Sequence, residues 1–128
     1  MVSTTITISN TTKRKLTSLR FEHLKNAILG EKYELSVVFI GKTKMQGLNK
    51  KYRNIDKSTD ILSFPISPDH GEIFISILDA NKKAKDFDRS EENYLEFLFI
   101  HGLVHLIGFD HGKEMEEVEK KYRKKFSI

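Results

Sequence analysis

The chain of 128 residues contains no cysteine. That absence excludes disulfides and every metal site built on thiolates, and it fits a reducing compartment. No apolar run approaches the roughly 20 residues needed to cross a membrane, so no membrane association is expected. The stretch Met1 to Ile8 lacks the charged start and long apolar core of a signal peptide, which makes an unexported, cytoplasmic protein the expectation. Internal repeats, low-complexity tracts and linkers are also missing. A chain of this length has room for one domain, spanning 1–128, that buries about two-thirds of its unfolded surface. Lysine and arginine number 22 against 18 aspartates and glutamates, a formal charge of +4 that leans toward an anionic partner.

What the sequence does have is a concentration of histidine. Three of its five histidines fall in the run His101-Gly102-Leu103-Val104-His105-Leu106-Ile107-Gly108-Phe109-Asp110-His111. The segment from about Ser90 to Ile107 is apolar on nearly every side, as a fully buried helix would be. A lone imidazole on such a helix is ordinarily a hydrogen-bonded core group. Here His101 and His105 lie one turn apart on the same face and can present their ring nitrogens to one point. Gly108 ends the helix by taking the left-handed conformation, and the returning chain can bring His111 to that point as well. Three neutral imidazoles suit zinc, one ion per chain, and three protein ligands leave a fourth position open, the pattern of catalytic rather than structural sites. Other divalent metals accept the same donors.

This run resembles the signature of the YbeY family of zinc-dependent endoribonucleases, His-Gly-x-Leu-His-Leu-x-Gly-Tyr-Asp-His, with Val104 and Phe109 as mild departures. Leu48-Asn49-x-x-Tyr52-Arg53-x-x-Asp56-x-x-Thr59-Asp60-Ile61-Leu62-Ser63-Phe64-Pro65 resembles a second hallmark of the family. Gly71-Glu72-Ile73-x-Ile75-Ser76 resembles a third, with Glu72 where the family has aspartate. Together they cover roughly residues 48 to 112. The resemblance implies a single-strand-specific endoribonuclease that acts in ribosomal RNA maturation and ribosome quality control, with ribosomal RNA and the small ribosomal subunit as partners.

In chain order the pattern is that of an α+β domain. Thr4 to Ser9 alternates and is rich in β-branched residues, predicting a strand. Asn10 or Thr11 can cap a helix carrying Leu16, Leu19, Leu24, Ala27, Ile28 and Leu29, stopped by Gly30. Tyr33 to Ile40 is a second strand, with Leu35, Val37 and Phe39 on one face. A short helix from about Thr43 to Tyr52 ends in the loop Arg53 to Ser58. Thr59 to Ile66 is a strand whose Pro65 places it at an edge. Glu72 to Leu78 is its antiparallel neighbour across the loop Ser67 to Gly71, and Asp79 to Lys85 is a short helix. Ser90, Glu91 and Glu92 suit the start of the central helix. Glu114 to Phe126 is a charged helix with Met115, Val118, Tyr122 and Phe126 on one face. The expected architecture is a small mixed sheet of about four strands packed with helices around the central apolar helix, zincin-like.

The zincin proteases carry a glutamate base directly after the first histidine, and this chain has Gly102 there. A three-histidine zinc site nonetheless lowers the pKa of its water to about 7, enough for phosphodiester cleavage. The phosphate then needs a fixed cation. Arg53 is the candidate, since a guanidinium grips phosphate through two hydrogen bonds, and the resemblance points to the same arginine. Arg53 and His101 are therefore the candidate catalytic residues, and His101, His105 and His111 the candidate metal ligands. Asp110 has three open roles: a fourth ligand, a partner orienting a histidine ring, which is favoured, or a turn residue. His23 and His70 read as structural or solvated. The lysine groups 50–51, 82–85 and 120–125 read as solvated faces able to meet backbone phosphates. Two other readings stand beside the nuclease: a metalloprotease-like hydrolase, and a ribosome-associated RNA-binding module whose metal braces the fold.

Overall fold

Alternation in the strands and the apolar stripes of the helices sort the described residues into one four-stranded sheet and five helices. The computed structural model describes residues 5–13 and 20–128. The elements are β1 (Ile6–Asn10), α1 (Phe21–Leu29), β2 (Glu34–Ile40), α2 (Lys42–Arg53), β3 (Ile61–Ser67), β4 (His70–Ser76), α3 (Ile77–Asp86), α4 (Glu91–Ile107) and α5 (Lys113–Phe126). The strand order is β1-β2-β4-β3. The β1–β2 and β2–β4 pairs are parallel, and β3 lies antiparallel to β4 at the edge. Pro65 sits on that edge next to a register shift between Pro65 and Ser67, where a missing amide hydrogen is tolerated.

Leu35, Val37, Phe39, Ile73 and Ile75 face the main core, which they share with buried residues of α1, α3 and α4 and with Met115 of α5. Phe21 stacks on Phe99 with ring centroids 3.9 Å apart, tying α1 to the middle of α4. The opposite sheet face carries a smaller cluster of Ile40, Met45 and Leu62, with Val38, Leu48, Phe64 and Phe74 packed on it.

The helix α4 forms where expected. The Ser90 side chain accepts a hydrogen bond from the Asn93 amide at 3.1 Å, and Glu91 and Glu92 fill the first turn. At the other end Gly108 adopts φ 115°, the left-handed stop. Besides its two histidines, α4 buries one charged residue: Glu96 is held by Arg20, whose guanidinium reaches it at 3.0 Å. Burial pushes the Glu96 carboxyl up, but hydrogen bonds from the Arg20 side chain and backbone, together with its charge, leave it below the ordinary carboxylate value.

The helix expected to start after Asn10 or Thr11 begins, among the described residues, at Phe21. Leu16 and Leu19 lie outside the described residues. Asn10 is the last residue of β1, and Thr11 extends the strand pairing, its amide and hydroxyl both donating to the Phe39 carbonyl, so neither caps α1. Among the described residues no helix is long and apolar enough to cross a membrane.

Candidate metal and substrate site

The edge strand β3 and the C-terminal half of α4 flank a cleft of about 560 Å³. Contact between them is close because of Gly102. A Cβ at that position would lie 2.7 Å from Ile61 Cδ1 and 2.9 Å from Ser63 Oγ. The Ser63 hydroxyl donates to the Gly102 carbonyl at 3.3 Å, pinning strand to helix. Any side chain at 102 would therefore enter the β3 packing and displace the side chains of Ile61 and Ser63, a crowded place for a glutamate base.

The three histidines of the sequence run meet in this cleft. One nitrogen from each of His101, His105 and His111 lies within 4.8 Å of the others, a group that could hold a metal ion. The ring centroids of His105 and His111 are 4.7 Å apart, and those of His101 and His105 are 4.9 Å apart. The helical spacing supplies the first two. The left-handed Gly108 turns the chain back to supply the third.

What sits behind the rings selects the nitrogen that faces the cleft. His101 Nδ1 lies 2.7 Å from Oε1 of Glu119, a buried carboxylate on α5. His105 Nδ1 lies 3.0 Å from the Phe109 carbonyl. Both partners only accept, so each Nδ1 carries the proton and each Nε2 keeps its lone pair free. This is the arrangement that orients imidazoles as metal ligands. Burial lowers the pKa of His105, and the neighbouring His101 and His111 lower it further against the opposing pull of Phe109 and Glu119. The lowered value favours the neutral imidazole, the form that binds a metal. Donor type, free lone pairs and mutual spacing all fit a divalent ion such as zinc.

Asp110 does not orient a ring. It is exposed, lines the cleft, lies outside the three-histidine group and has no hydrogen bond to any of the imidazoles among the described residues. The turn after Gly108 brings the Phe109 carbonyl, not the Asp110 carboxylate, onto His105. Asp60 also lines the cleft, but its Oδ2 is engaged by the Tyr94 hydroxyl at 3.3 Å and by Lys83 at 3.2 Å. Burial, reinforced by Asp60, pushes the Tyr94 hydroxyl far above its ordinary value, so it remains a donor to that carboxylate.

Arg53 is the last residue of α2, exposed and on the wall of the same cleft, with no ion-pair partner among the described residues. The left-handed Asn54, at φ 57°, stops α2 there and leaves Arg53 at the helix end rather than in the following loop. His23 is exposed on α1, and His70 opens β4; neither joins the cluster. Sequence reasoning missed Glu119. Its signal was its position on α5, four residues after Met115 and three before Tyr122, which puts a carboxylate on the buried stripe.

Fold and site together define an α+β protein with a three-histidine, metal-type centre at the end of a buried helix. The family model described as Endoribonuclease YbeY matches residues 2–127. A relative of that name from Aliarcobacter butzleri is 41% identical over 90% of this chain and 91% of its own length. Another of that name, from Acholeplasma laidlawii, is 42% identical over 70% of this chain and 68% of its own length. The solution structure of TM1509 from Thermotoga maritima superposes with a TM-score of 0.66 at 26% identity, covering 95% of this chain and 91% of that one. The chain belongs to the YbeY family of endoribonucleases.

Proposed function

We propose that this chain is a zinc-dependent endoribonuclease that cuts single-stranded RNA in the maturation and quality control of ribosomal RNA. The observation that carries this reading is the convergence of three imidazoles, two of them oriented by hydrogen bonds, on a cleft whose wall also presents an arginine with no ion-pair partner among the described residues. Family membership supplies the RNA, through the endoribonuclease name its relatives bear. Ribosomal RNA, the small ribosomal subunit as partner and a cytoplasmic location follow from the same reading.

In this mechanism His101 and His105, through Nε2, together with His111, would hold one ion. When bound, such an ion would supply Lewis acidity and lower the pKa of a water. Glu119 and the Phe109 carbonyl keep the two helix imidazoles in the correct tautomer and orientation. Arg53 takes the non-bridging phosphate oxygens, fixes the scissile group against the histidines and offsets the charge that grows as the bond breaks. Arg53 acts as a fixed cation in this scheme. The edge strand β3 offers an extended wall along which a single strand can lie.

Metalloprotease chemistry is disfavoured at Gly102, which has no carboxylate where such enzymes place their base after the first histidine and is closely packed by Ile61 and Ser63. The test against an RNA-binding module uses His105→Ala. After circular dichroism and melting establish that the variant is folded, it should still bind single-stranded RNA and should not cut it. Wild-type protein that binds zinc and RNA yet cuts no single-stranded RNA would support the binding module instead.

A further inference from the structure

The last turn of α2 places Lys51, Tyr52 and Arg53 in succession, all exposed. Tyr52 leaves 57% of its surface in water, yet its ring is not loose. It lies 5.1 Å from the ring of Phe64 at an interplanar angle of 59°. Phe64 in turn meets Phe74 edge-on at 5.8 Å, which anchors the pair to the sheet. Phe64 also lines the cleft that holds Arg53 and the three histidines. The Lys51 ammonium lies 5.2 Å from the Tyr52 ring centroid.

A cover for the small cluster under α2 would be expected to bury its ring. That cluster is already closed, with Met45 0% and Leu62 3% exposed, while Tyr52 remains largely open. A ring held by a neighbour and largely open to water can accept a nucleobase once the flexible Lys51 side chain swings from over it toward a phosphate, since stacking needs a fixed π-face and little further ordering. The cations beside it suit the phosphates that flank such a base. Lys51 and Arg53 have no ion-pair partner among the described residues, whereas Lys50 is 4.0 Å from Asp56.

We propose that Tyr52 and Phe64 form a stacking site for one base of single-stranded RNA, adjacent to the phosphate position at Arg53. The site rests on the RNA-cleaving reading and deepens it. Stacking there sets the register of the strand against the histidines, so the protein grips a base without reading its hydrogen-bonding edge. Tolerance of all four bases follows, because each has a π-face. A duplex, whose bases are already stacked on one another, cannot use the site.

The test is stopped-flow fluorescence with a short oligoribonucleotide carrying 2-aminopurine, read before cleavage sets in. Wild-type protein should quench the fluorophore as it stacks. Tyr52→Ala should lose the quench and weaken binding about fivefold or more, while Tyr52→Phe keeps both. Phe64→Leu retains apolar volume on the sheet but lacks the ring, and should behave like Tyr52→Ala. The dependence of affinity on salt should not change in Tyr52→Ala, because no charge is removed. Wild-type affinity and quench in a folded Tyr52→Ala protein would overturn the stacking site and leave the nuclease reading standing. Failure of the wild-type protein to bind any single-stranded RNA would overturn both.

Discussion

His101 Nδ1 and Glu119 Oε1 stand 2.7 Å apart, joining the penultimate turn of α4 to the buried face of α5. A carboxylate behind an imidazole raises its basicity and fixes its tautomer, and losing such a partner typically costs about 10- to 100-fold in metal affinity. Glu119→Gln preserves shape but removes the charge. It should weaken zinc binding by about tenfold or more in a competition titration against a chelator, with little change in melting temperature. Unchanged zinc affinity would reduce Glu119 to a packing residue.

Gly102 tests the cleft in a different way. Gly102→Ala puts a methyl 2.7 Å from Ile61 Cδ1 and 2.9 Å from Ser63 Oγ, so these side chains on β3 must give way. Overpacking of this kind costs about 1–3 kcal/mol, which denaturant unfolding would detect. A variant as stable as wild type would mean that the Ile61 and Ser63 side chains yield freely.

The Glu96–Arg20 pair gives a pH dependence. The folded-state pKa of Glu96 lies below its ordinary value, so its contribution to stability is complete above about pH 4.3, the unfolded value, and is lost as pH falls through the folded value. The difference in melting temperature between wild type and Glu96→Gln should hold steady from neutral pH to about 5 and shrink below about pH 4. Because the Arg20 side chain is 44% exposed, the contribution should be modest, about 1–2 kcal/mol. A difference that persists undiminished to pH 3 would show that the stabilisation does not depend on ionised Glu96.

At Arg53 the geometry of the cation matters more than its charge. Arg53→Lys keeps the charge but cannot make two parallel hydrogen bonds to one phosphate. Cleavage of single-stranded RNA should fall about tenfold or more, with unfolding unaffected because the side chain is exposed and unpaired among the described residues. Near-normal cleavage would make Arg53 a generic positive charge.

The parts of the fold visible in sequence are those where one local signal decides. The alternation of Leu35, Val37 and Phe39 specified a strand and its buried face, Pro65 an edge, and Gly108 the stop that brings His111 back. Long-range pairings were invisible. Glu96 looks like a flaw in an apolar helix until Arg20, 76 residues earlier, is seen against it. Glu119 looks like one charge among many on α5 until the fold lays that face against His101. Asp110 was the nearer carboxylate in sequence, but a backbone carbonyl one residue away took the position on His105, because the left-handed glycine fixes main chain before side chain.

The most direct test of the central claim is a zinc titration of metal-stripped protein with cleavage of single-stranded RNA as the readout. Activity should be absent without metal, rise in proportion to added zinc and level off at one equivalent per chain, with His111→Ala showing neither tight zinc uptake nor cleavage. Full cleavage by metal-stripped protein, or by a folded His111→Ala variant, would contradict a nuclease built on the three histidines.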